Sequence, residues 1–150
     1  GTECANVKEA RAKLNNIEFD VIKNFRNVGT GYWNTYLLYV LGSYIASGGM
    51  TYGDGTGTNS GYCEVGEMWA YHMSSKIWHE RNGGTYPSFG TTFWFHPQIL
   101  RYVEETGIST WEIFSQLRSS VTSRDALKRA LMASSPDKAD RIELIFNRYM

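Results

Sequence analysis

The sequence predicts an all-α domain of about six helices packed around one core, with a long glycine-rich loop in its first half. Three observations predict it. Apolar residues recur at alternating steps of three and four through most of the chain, the spacing that lays a stripe down one side of a helix. Glycines, prolines and Ser/Thr caps divide these stripes into separate elements. A chain of 150 residues with 42% hydrophobic and 20% charged side chains can fill a single core, burying about two thirds of its unfolded surface.

In chain order, the first helix is expected over Asn6 to Val28, where Val7, Ala10, Leu14, Ile17, Val21, Phe25 and Val28 form one stripe. Gly29 and Gly31 break it. Tyr32 to Leu41 is apolar almost all round, the pattern of an interior helix. Gly48 to Gly61 has no hydrophobic periodicity. It lacks the Lys-Ser or Lys-Thr ending of a phosphate loop and the glutamate of a calcium loop, so a tightly turned covering loop is expected.

From Glu64 to about Arg81, the steps Val65, Trp69, Met73 and Ile77 mark a core face with Trp78 beside it, and Asn82-Gly83-Gly84-Thr85 ends the helix. Tyr86 to Phe95 is aromatic and irregular, with a short extended piece expected there. Pro97 opens a helix carried by Ile99, Leu100 and Val103 to Gly107. Ser109 or Thr110 caps Trp111 to Leu117, with Glu112 near the positive end of the dipole. Ser123 caps the helix containing Leu127 to Met132, and Ser135-Pro136 opens the last, with Ile142, Ile145 and Phe146 as its stripe.

Fifteen basic and fifteen acidic residues cancel, which argues against nucleic acid or an anionic bilayer as partner. No run approaches the roughly 18 apolar residues of a membrane span, and Gly1-Thr2-Glu3-Cys4 lacks the basic and apolar parts of a signal peptide. Gly1 has the look of a residue left by tag removal. Cys4 and Cys63 are either a disulfide pair or two buried thiols.

Val28-Gly29-Thr30-Gly31-Tyr32-Trp33, Tyr52-Gly53-Asp54-Gly55-Thr56-Gly57, Gly61-Tyr62-Cys63-Glu64-Val65-Gly66-Glu67-Met68-Trp69, Pro97 to Leu100 and Trp111 to Phe114 together resemble the C-terminal half of the catalytic domain of secreted bacterial gluzincin-type zinc metallopeptidases. In that family a HExxH helix carries two histidines and a glutamate base, and a later helix carries a third, glutamate ligand. The resemblance implies a zincin-like helical subdomain in a secreted, periplasmic or cell-surface bacterial protein. It matches Glu18 to the catalytic glutamate and Glu67 to the third ligand. Ile17 and Val21 then stand where the histidines belong, and two aliphatic side chains cannot grip zinc.

The reading that follows is a non-catalytic relative, with Glu18 a remnant and no metal cofactor, that binds peptide or glycan beside Glu67, Trp69, Tyr71, Tyr52 and Tyr62. Tyr86 and Trp94 are further candidates for a groove, since such rings join an apolar face to a polar tip. Two alternatives remain: an active zinc metallopeptidase with unrecognised ligands, and a helical scaffold. His72 and His79, two turns or about 10 Å apart, are expected as surface or half-buried residues. His96 is expected as a cap, and Glu104-Glu105 as a solvated face.

Overall fold

The computed structural model describes residues 30–49 and 52–149. The helix expected over Asn6 to Val28, with Ile17, Glu18 and Val21, lies outside them, as does Cys4. Among the described residues all regular structure is helical: α1 (Thr30–Ser47), α2 (Ser60–Asn82), α3 (Gln98–Glu105), α4 (Thr110–Ser115), α5 (Arg124–Ser134), a 3-10 turn (Pro136–Lys138) and α6 (Ala139–Asn147). None of these helices is long and apolar enough to cross a membrane.

The core joins Val65 and Met68 of α2 to Phe95, to Ile99, Leu100 and Val103 of α3, and to apolar residues of α4, α5 and α6. Ile113, Leu127, Leu131, Ile142 and Phe146 are wholly buried there, each contributing on the order of 1.5–3 kcal/mol of hydrophobic stabilisation. The caps are local. Ser109 and Glu112 form a reciprocal capping box at α4, and the Ser123 hydroxyl accepts from Ala126 N–H at α5. The first turn of α5 has a second acceptor from afar, since the Arg124 N–H donates to Glu64 Oε1 on α2 at 2.6 Å.

Three expectations need correction. The segment Tyr86–Phe95 forms no strand; from Ser88 on it is a succession of turns in which Thr91, Phe93 and His96 N–H groups donate to the carbonyls of Ser88, Gly90 and Phe93. Its rings stack inward instead, with Phe93 and Phe95 at 5.6 and 5.4 Å from Tyr71, and Gly90, at φ 71°, lets the chain close on the Tyr71 ring.

Helix α1 is not interior. Tyr39 is buried, but Leu37, Leu38, Leu41, Tyr44 and Ile45 on its far side are exposed. An all-round apolar pattern states that a helix needs covering without stating what supplies the cover.

Helix α2 is rotated from the expected face. Its buried residues are Cys63, Val65, Glu67, Met68, His72 and Ser75, while Ile77 and Trp78 are exposed. Polar groups with partners have gone inside, which hydrophobic spacing cannot anticipate.

The glycine-rich loop covers the junction between α1 and the aromatic segment, as expected. Gly55, at φ 84°, approaches so closely that a Cβ would sit 2.5 Å from the Trp94 ring. The Tyr39 hydroxyl donates to the Tyr52 carbonyl at 3.2 Å, and the Asp54 carboxylate closes an Asx turn by accepting from the Thr56 N–H at 3.0 Å.

Candidate functional site

Two polar centres lie on different faces of α2. The first is Glu67, only 8% exposed. The Tyr36 hydroxyl of α1 donates to its Oε1. The Tyr36 ring lies directly on the α2 backbone at this point: a Cβ on Gly66 would lie 3.0 Å from it. Burial raises the Glu67 carboxyl above its ordinary range, against the opposing pull of the Tyr36 hydrogen bond. Tyr36 is itself raised, by burial and by its bond to Glu67.

Tyr52 and Cys63 complete this centre. The Glu67 charge, then burial and the nearby Tyr71 hydroxyl, raise the Tyr52 hydroxyl. Cys63 is a fully buried free thiol, pushed up to about 12 by burial and then by the neighbouring Glu67 charge. A thiol held there is a poor nucleophile, since the thiolate is the reactive form.

Of the residues singled out by sequence, Glu67, Tyr52 and Tyr71 therefore come together. Tyr62 and Trp69 do not join them. At 100° per residue both point to the other side of α2, where Tyr62 meets Tyr32 of α1 with ring centroids at 5.0 Å and Trp69 lies against Phe114 of α4 at 5.4 Å. Trp94 packs on Gly55 and on Phe95, at 5.6 Å between rings.

The second centre was missed. Glu104 of α3, expected as a solvated residue, accepts from His72 Nε2 at 3.0 Å, from Lys76 Nζ at 2.9 Å and from the Thr110 hydroxyl of α4. Burial pushes the Glu104 carboxyl up, but the bonds from Thr110, Lys76 and His72 outweigh it and hold the group below its ordinary value. His72, expected near the surface, is 2% exposed. Burial lowers its pKa despite the pull of the Glu104 carboxylate, so the ring is neutral at pH 7 and its proton sits on Nε2, because a carboxylate can only accept. The available signal was spacing: His72 and Lys76 are four apart on one helix, so a single acid can meet both.

His72 also lines a cleft of about 190 Å³ between the second half of α2, the 86–97 segment and α3. Tyr86, Phe89, Tyr102 and Tyr149 supply rings, and Ser75, Gln98 and Arg101 supply polar groups. The Arg101 guanidinium lies 4.0 Å above the Tyr86 ring and its Nε is 3.3 Å from Glu105. Tyr102 and Tyr149 are stacked with planes 13° apart. Trp78 meets Phe89 edge-on at the cleft margin, 6.1 Å between centroids.

Among the described residues no three His, Cys, Asp or Glu side chains gather where they could hold a metal ion. Glu67, matched to a third zinc ligand, has a phenol as its partner, and His72 is turned to Glu104. These residues do not fit a three-ligand zinc centre. No protein-family model, curated protein or solved structure matches the chain.

Proposed function

We propose that this domain is a non-catalytic binding module, zinc-metallopeptidase-like in sequence, that takes one side chain of a peptide or one ring of a glycan in the cleft beside His72. The observation that carries the reading is the lining itself: four aromatic rings around Ser75, Gln98, Arg101 and His72. Flat apolar faces with a few directed polar groups are what such ligands need. The cleft is smaller than the roughly 300–1,000 Å³ of pockets for whole drug-sized molecules, so it suits a single unit of a longer chain lying across the surface.

The non-catalytic part rests on Glu67. Matched to a third zinc ligand, its buried carboxylate is instead the acceptor of the Tyr36 hydroxyl. Peptide and glycan panels read by tryptophan emission test the proposal, with Trp78 placed to report. Saturable binding that falls at least tenfold in Tyr102→Ala, with no cleavage of a bound peptide, is the expected result. Silence across both panels would sink the binding reading, and zinc-dependent cleavage would sink the non-catalytic one.

A further inference from the structure

Helix α1 has two opposed faces. Tyr36 and Tyr39 turn toward α2 and the glycine-rich loop. At 100° per residue Leu37, Leu38, Leu41, Tyr44 and Ile45 fall together on the other side, within an arc of about 120°, where they are 53%, 70%, 58%, 53% and 80% exposed. Asn34, also exposed, continues this stripe toward the start of the helix. Asn34, Leu38, Leu41 and Ile45 follow one another at steps of four, three and four, the seam spacing by which one helix packs along another.

Area and charge decide what fits the seam. At those exposures the five apolar side chains leave about 550–600 Å² uncovered, most of the roughly 800 Å² that each partner gives to a stable interface. Exposed Asn34 and Gly42 border them and enlarge the patch. A helix that lies on a bilayer carries basic residues opposite its apolar face, and α1 has no charged residue at all. A charged partner finds nothing there to pair with. A second copy brings the same neutral seam, and a chain of zero formal net charge meets itself without long-range repulsion.

We propose that α1 is a homodimer interface, in which the Leu37–Ile45 faces of two copies pack antiparallel about a two-fold axis at Leu41. This arrangement opposes the two helix dipoles. It sets Leu41 against Leu41, and Leu38 of one copy beside Ile45 of the other. A two-fold contact closes after two copies, so the association stops at the dimer. No residue of α1 lines the cleft beside His72; each copy keeps its own, and one dimer offers two to a ligand with repeated units.

The test is the mass of the full chain in solution, followed by sedimentation equilibrium through the micromolar range. A species of twice the 17.1 kDa chain mass is expected, and Leu41→Glu should raise its dissociation constant at least a hundredfold by bringing two charges together on the axis. A wild-type monomer at every concentration overturns the proposal, and so does a dimer that Leu41→Glu leaves intact. As a second measurement that needs no charged variant, Leu41→Cys in a Cys4→Ser background should form a disulfide between chains under mild oxidation. Leu144→Cys on α6, at a position 71% exposed in the wild type, is the control and should stay reduced. Equal crosslinking at the two positions, or crosslinking at Leu144→Cys alone, also overturns the proposal.

Discussion

Glu104 and His72 stand 3.0 Å apart on two different helices, a carboxylate held below its ordinary pKa beside an imidazole held below its own. One acid thereby ties α3 to α2, through His72 and Lys76, and to α4 through Thr110.

Glu104→Ala should destabilise the fold by about 1–3 kcal/mol, because His72 loses its acceptor while buried. Lys76 is 29% exposed, so solvent limits its share. Urea midpoints at pH 7 measure the change, and Glu104→Gln, which retains an acceptor, should lose less. The pH dependence has a definite sign. A group whose pKa is lower in the folded state stabilises above its unfolded value and loses that contribution as pH falls through the folded value. His72 and Glu104, with ordinary values of 6.5 and 4.5, thus both weaken the fold on acidification, His72 beginning below about pH 6.5. In Glu104→Ala the carboxylate part of this acid loss should disappear.

Glu67 acts with the opposite sign. Its carboxyl is raised, so the folded state holds the proton more tightly and the charged form burdens the fold above that raised value. Glu67→Gln, which can still accept from Tyr36, should match or exceed the wild type in thermal stability at pH 8 and lose the advantage below about pH 4.5. Tyr36→Phe should cost about 1 kcal/mol at pH 8 by removing a donor to a buried acid. A wild-type advantage over Glu67→Gln at pH 8 would contradict this account.

Gly61→Ala should be costly even though alanine is the better helix former by about 1 kcal/mol. The new methyl would stand 2.1 Å from the Thr122 carbonyl oxygen, a backbone atom. Relief requires moving α2 from the start of α5, and about 1–3 kcal/mol is expected in chemical denaturation. Gly31→Ala, with nothing within 4 Å of the added carbon, is the control and should show no comparable loss.

Cys63 should resist alkylation at pH 8 in Cys4→Ser protein, since it is buried and its thiol is pushed up to about 12. Labelling by a thiol reagent should follow the urea unfolding curve. Rapid reaction in the absence of denaturant would show that the α1–α2 junction opens locally.

Much of this fold was legible in the sequence because its signals are short-range. Ser109 with Glu112, Ser123 ahead of Ala126, and Pro136 each act within one turn, and each marks the helix start found in the structure. The orientation of α2 was not legible. Its inner face carries Glu67, His72 and Ser75, and polar side chains go inside only where distant partners such as Tyr36 and Glu104 meet them. The cleft was legible through Tyr86 alone, since Gln98, Arg101, Tyr102 and Tyr149 reach it through the packing of α3 and the chain end. The resemblance brought Glu67 forward, and its Tyr36 partner depends on how α1 lies against α2.

The bond from the Arg124 amide to Glu64 makes the first turn of one helix depend on a carboxylate carried by another, 60 residues earlier. Neither end is complete by itself, so α5 and the start of α2 should consolidate in a single kinetic step and fray together on heating. The late-made part of the chain would therefore wait for the middle before its own beginning became firm.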